Sequence, residues 1–207
     1  MADRALSVIA MPRRLRREEL PAETVALARF LIGRILVHDS AQGRTSGRIV
    51  ETEAYVVGDA SGHAYRGETR RNRSLFLDRG HAYVYFIYGC WFCLNVSSEH
   101  AGIGAGVLLR AAEPLEGLAL MAGRRGTTRP RDLARGPGRL ATAFGIDDRL
   151  DGLDLTAGHA LWLGETERPR GRIASSVRIG LSKEAHRVLR FYERGNPFIS
   201  GPASLSP

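Results

Sequence analysis

Residues 82–96 read AYVYFIYGCWFCLNV and hold six aromatic side chains (Tyr83, Tyr85, Phe86, Tyr88, Trp91, Phe92), in a chain of 207 residues with only two Trp, six Tyr and seven Phe. Aromatic and β-branched residues on both sides of a Tyr88-Gly89 turn signal predict two antiparallel strands. A lone hairpin is marginal in water, so the rest of the chain has to supply a sheet for it.

Suitable partners are present. RILVH (34–38) and GRIVETEAY (47–55) flank a polar segment and predict an antiparallel pair joined by a medium loop, and GVLLRAAEP (106–114) predicts another strand. The apolar-periodic ETVALARFLIG after Pro21 predicts a helix stopped by Gly33, a second helix is expected around Leu115 to Ala122, and a third is entered through Gly136-Pro137. Residues 56–80 are glycine-rich and charged and read as a surface loop; the last third reads as short strands and turns. There is no βαβ alternation, no repeat and no linker. The expectation is one α+β domain over 1–207, with a curved, mostly antiparallel, barrel-like sheet flanked by helices, and with the arginine-rich residues 1–19 as a flexible N-terminal segment.

Composition narrows the partner. With 43% hydrophobic and 25% charged residues the chain can bury a core. Thirty basic against twenty-two acidic residues give +8 at pH 7, which favours a polyanion. No apolar run approaches the roughly 20 residues that span a bilayer. The start MADRAL has no secretory core either, so a soluble, intracellular protein is expected. Cys90-x-x-Cys93 lacks the second pair of a zinc site, and odd spacing in a strand sends the thiols to opposite faces, so both read as small apolar filler. His38, His63, His81, His100, His159 and His186 show no ligand spacing; neither a metal nor a cofactor is implied. The basic stretch 124–140 is either a solvated connection or, because a proline near a first helical turn leaves N–H groups free, a phosphate seat.

Within GRIVETEAY the two-residue period puts Ile49, Glu51, Glu53 and Tyr55 on one face. That face is either a solvated edge or the wall of a cleft. An acidic pair beside a tyrosine in a basic chain suits the cleft, where an ionised carboxylate can orient and deprotonate a water.

Taken in order, RIVETEAY, His63, RNR (71–73), AYVYFIYGCWFCLNVSS, GVLLRAAEPLEG, RGPGRL, and VRIG with LRFYERGNPFIS resemble the 3-methyladenine (alkyladenine, or methylpurine) DNA glycosylase family over about residues 20–200. The resemblance implies an enzyme that flips a damaged purine nucleotide out of the duplex and hydrolyses its N-glycosidic bond, leaving an abasic site. By the same resemblance Glu53 is the general base, with Arg110 and the backbone carbonyl of Ile179 positioning its water. Tyr55, His63 and Tyr85 enclose the base, Asn95 crowds the 2-amino group of undamaged guanine, and Tyr88 fills the vacated slot in the duplex. Arg70, Arg71, Arg73, Arg135 and Arg139 are expected on phosphates. Lys183 is the only lysine and lies outside the matched catalytic blocks, so a water-using, monofunctional enzyme is expected rather than one that attacks the sugar with an amine.

The lesions implied are 3-methyladenine and 7-methylguanine, with hypoxanthine and ethenoadenine as neutral candidates, and the setting is base excision repair. The expected partner is double-stranded DNA containing damaged purines, bound by a monomer with no membrane involved. The expected place is intracellular and DNA-associated, the cytoplasm or nucleoid in a prokaryote. A non-catalytic nucleic-acid-binding module of the same fold is the competing reading, and it would need neither Glu53 nor Arg110. An N-glycosidase of RNA or free nucleosides is a third, and on a free nucleoside Tyr88 would have no use.

Overall fold

The computed structural model describes residues 11–205. Its elements, in chain order, are β1 (Arg13–Arg14), α1 (Thr24–Leu31), β2 (Ile35–Ser40), β3 (Gly43–Tyr55), β4 (Ala82–Ile87), β5 (Trp91–Ser97), β6 (Gly106–Glu116), α2 (Leu118–Arg125), α3 (Pro130–Leu133), α4 (Pro137–Phe144), β7 (Leu161–Glu165), β8 (Ile173–Ser176) and β9 (Arg190–Glu193), with short 3-10 turns between them. The architecture is α+β with one nine-stranded sheet in the order β1-β7-β2-β3-β6-β5-β4, and β9 bridges β3 to β8. Every pairing between these strands is antiparallel.

Local chemistry explains the elements that support the site. The Glu23 carboxylate accepts from the N–H groups of Val25 and Ala26, which caps α1, and Gly33 (φ 85) turns the chain back into β2. Leu27, Ala28 and Leu31 of α1 join one apolar core with Leu140, Ala141, Ala143 and Phe144 of α4. Between them these two helices press on β3, β5 and β6 from the same core. That packing holds the sheet from one side and leaves the other to the site.

Three expectations change. First, the sheet is not closed into a barrel. Along one edge β3 pairs with β6; along the other it pairs with β2 over its first half and with β9 at Glu51–Glu53. One long strand thus serves two partners in succession, and the sheet forks where a barrel would have to return on itself. Second, the polar segment between RILVH and GRIVETEAY is strand, not a medium loop, because the ladder runs from Ile35 opposite Arg48 to Ser40 opposite Gly43 and leaves only Ala41-Gln42 to turn. Arg44 and Asp39 face each other across it at 2.5 Å, which gives the polar rungs a pairing of their own. Third, β6 continues to Glu116 opposite Ser46, so the second helix begins at Leu118, after the left-handed Gly117 (φ 72).

Of the arginine-rich segment 1–19, residues 1–10 lie outside the described residues. Arg13 and Arg14 pair with Glu165 and Gly164, and the Arg13 guanidinium meets both Glu19 and Glu165. Among the described residues no helix is long and apolar enough to cross a membrane.

Candidate active site

Glu51, Glu53 and Tyr55 project from the C-terminal half of β3, but strict alternation does not deliver them. The β3–β6 register shifts between Ile49 and Glu51 and again between Glu51 and Thr52. The first irregularity separates Ile49, which belongs to the apolar core, from the two carboxylates. The second leaves Arg110 without a residue directly opposite, between Leu109 (facing Thr52) and Ala111 (facing Glu51). Its guanidinium lies between the two glutamates, with Nε 3.1 Å from Glu51 Oε1 and Nη1 3.2 Å from Glu53 Oε1. Burial pulls the Arg110 pKa down, but the two carboxylates outweigh it, so the shift is upward.

Glu53 is wholly buried. The Tyr55 hydroxyl donates to Oε2 (3.0 Å), and the Ile179 amide donates to Oε1 (2.8 Å). The Ile179 amide and the Arg110 guanidinium can only donate, whereas the Tyr55 hydroxyl can donate or accept. The resemblance had assigned Ile179 through its carbonyl; the contact observed is through its N–H. Burial first, and then Glu53, push the Tyr55 phenol well above its ordinary range, which keeps it a donor. Arg178 sits 4.6 Å above the Tyr55 ring and is fixed there by Asp59 (2.5 Å) and the Ala54 carbonyl (2.9 Å). One face of Tyr55 is thereby covered.

Tyr55, Arg110 and Ile179 line a cleft of about 480 Å³, with His63, Tyr83, Tyr85, Tyr88, Cys93 and Asn95 on its other walls. Glu53 lies one layer beneath, behind its three partners. The walls come mainly from the hairpin of β4 and β5, where Tyr85 stands opposite Cys93 and Tyr83 opposite Asn95. Tyr83 and Tyr85, two residues apart, stack with centroids 5.4 Å apart, and His63 meets Tyr85 edge-on at 4.4 Å. Enclosure raises the Tyr83 phenol to about 12 and raises Tyr85 further; partial enclosure, then Arg71, lower the His63 imidazole. Neutral rings are what such a wall offers near pH 7.

His63 arrives from the loop rather than from the sheet. Asn72 holds that loop, donating to the carbonyls of His63 and Gly67 and accepting from Thr69. The Tyr83 hydroxyl then meets His63 Nδ1 at 2.8 Å. Asn95 is 6% exposed and its amide reaches the Tyr83 carbonyl at 3.4 Å. At the hairpin tip Tyr88 (φ 54) and Gly89 (φ 68) are both left-handed, and Tyr88 is 83% exposed. Arg135, Gly136, Pro137, Gly138 and Arg139 form the facing rim at the start of α4. A Cβ at Gly138 would lie 3.1 Å from the Trp91 side chain, which would have to shift by a few tenths of an ångström.

Arg70, Arg71 and Arg73 are exposed on the loop side, and Arg71 donates to the Phe86 carbonyl (3.2 Å). Arg135 is tied to the Ile199 carbonyl (2.6 Å), while Arg139 is exposed. Among the described residues no group of three or more His, Cys, Asp or Glu is placed to hold a metal ion. Cys93 is buried on β5, and Cys90 is exposed in the turn that precedes it rather than on the opposite face of a strand. Asn72, Arg178 and Ser200, whose hydroxyl lies 3.3 Å from Arg110 Nη2, are supports to which sequence reasoning gave no role. No local pattern around them distinguishes them from ordinary core, turn or loop residues.

The family model described as Methylpurine-DNA glycosylase (MPG) matches residues 18–197. Proteins provisionally named 3-methyladenine DNA glycosylase are similar over nearly the whole chain. One from Mesorhizobium japonicum is 62% identical over 189 residues (91% of each chain). One from Paraburkholderia phytofirmans is 54% identical over 191 residues (92% of this chain, 90% of the relative). One from Methanoculleus marisnigri is 45% identical over 181 residues (86% of this chain, 94% of the relative). A buried carboxylate behind an aromatic cleft, in a chain with these relatives, places the protein in the methylpurine-DNA glycosylase family of N-glycosyl-bond hydrolases.

Proposed function

We propose that the protein is a monofunctional glycosylase of base excision repair that binds damaged duplex DNA as a monomer, swings an alkylated purine such as 3-methyladenine or 7-methylguanine into the cleft, and cleaves its glycosidic bond with a water activated by Glu53. The observation that carries this reading is the enclosed Glu53 carboxylate, held by Tyr55, Arg110 and Ile179, which themselves wall the cleft. The uncovered face of Tyr55 and the ring of Tyr85 are the stacking surfaces for a purine, each worth about 1–3 kcal/mol. A cationic alkylpurine is already a good leaving group, so the protein's part is to hold the sugar, the water and the carboxylate together and to oppose the positive charge that develops on the sugar.

Glu53 meets no solvent in the DNA-free protein, and its Oε2 holds the Tyr55 hydroxyl where a water would sit. On this reading, stacking of the base on Tyr55 shifts that ring and admits the water, in keeping with catalytic contacts that tighten only in the complex. Tyr88 fills the gap in the duplex, and Asn95 disfavours guanine. Glu53→Gln keeps the size of the side chain but replaces one acceptor oxygen with an amide nitrogen and removes the base. Binding to a 7-methylguanine duplex is expected to persist, while base release falls by about 10²–10⁴-fold. Release at the parent rate rules out this assignment. The competing binding-module reading expects no release from the parent protein either.

A further inference from the structure

We infer that Glu51, together with Ser200, is a positioning pair for the reaction: it holds Arg110 sideways, so that the guanidinium meets Glu53 through one terminal nitrogen and leaves the carboxylate able to act. The inference rests on the reading of Glu53 as the base.

Glu51 is completely buried and gathers four donors. Oε1 accepts from Arg110 Nε (3.1 Å), Arg190 Nε (2.7 Å) and Ser200 Oγ (3.0 Å), and Oε2 accepts from the Ser200 amide (2.5 Å). Ser200 Oγ also lies 3.3 Å from Arg110 Nη2. A guanidinium beside a single carboxylate tends to close into a two-point fork. Such a fork on Glu53 would occupy the oxygens that must take a proton. Here Nε is committed to Glu51 and Nη2 to Ser200, so only Nη1 faces Glu53.

The same arrangement balances charge. Glu51, Glu53, Arg110 and Arg190 are four buried ionisable groups, two of each sign, which is how two carboxylates on neighbouring positions of one strand can both remain inside. Arg190 is anchored in turn by the Ser176 hydroxyl and by the carbonyls of Ser200 and Leu205. Ser200 and Leu205 are therefore part of the support behind the site.

The test compares Glu51→Gln and Ser200→Ala with the parent in single-turnover release of 7-methylguanine from a duplex, in affinity for an abasic duplex, and in thermal unfolding. Glu51→Gln is expected to lose up to about 100-fold in release with affinity unchanged, as expected when a reacting group is misplaced. Ser200→Ala keeps every charge, so a smaller rate loss is expected. The parent rate in folded Glu51→Gln overturns the inference. So does a loss mirrored in affinity, which is what a merely structural residue gives. If Glu51→Gln does not fold, the parent rate in Ser200→Ala overturns it. Loss of release in Glu53→Gln with parent behaviour in Glu51→Gln removes only the positioning role, whereas release by Glu53→Gln removes the base itself.

Discussion

At the floor of the cleft Glu53 is 0% exposed and Arg110 7%, each held by partners from separate strands and loops, whereas Tyr88 at the lip is 83% exposed. The floor is dear to build. Each buried ion loses hydration worth several kcal/mol, and only close opposite charges and well-placed donors offset that. The lip instead carries local strain, because a non-glycine residue in the left-handed region costs roughly 1–2 kcal/mol. On the proposed reading, chemistry requires a carboxylate and a counter-charge held in place, and insertion into a duplex requires a ring that reaches beyond the protein. One sheet carries both regions, since β3 and β6 lie at its centre and the β4–β5 hairpin at its margin.

If that division holds, variants at the floor and the lip differ in kind. The largest effect is expected for Arg110→Ala. It strips Glu51 and Glu53 of a shared counter-charge in the interior, and about 3–5 kcal/mol of stability should be lost in chemical denaturation. A loss below about 1 kcal/mol, the range of an exposed pair, would mean that the floor is as open as the surface. Next, Tyr88→Ala should unfold at the parent temperature or slightly above it, but release the base from paired duplexes about tenfold more slowly, in line with the loss of one stacked ring. A Tyr88→Ala protein that unfolds much earlier would place the tip inside the fold's stabilising contacts and break the contrast. The smallest effect is expected on the loop side, where Arg71→Ala should reduce the slope of log affinity against log salt by about 1, without altering stability. An unchanged slope would take Arg71 off the DNA-facing surface and confine that surface to other arginines.

The hairpin shows why much of the site could be read beforehand. Two-residue periodicity and a Tyr-Gly turn are local properties, and they put Tyr83 and Tyr85 on one wall and Tyr88 at the tip. The capped helix α1 and the strand GVLLRAAEP were legible on the same ground. Local rules failed where two segments meet. Ile49 shares its parity with Glu51 yet faces the core, because the bulges that break alternation arise from the pairing of β3 with β6.

By itself the sequence determined the α+β class, the aromatic hairpin, a polyanion as partner, and the residues Glu53, Arg110, Tyr55 and Tyr88 as candidates. Tertiary structure alone decided that the sheet stays open, that Glu51 is a saturated hub rather than a second free acid, and that Ile179 offers its amide. It alone brought Arg178, Asn72 and Ser200 to the site from distant parts of the chain. The physical reason is range: propensity and period act over a few residues, whereas a buried charge selects partners by proximity in space, however far apart they lie along the chain.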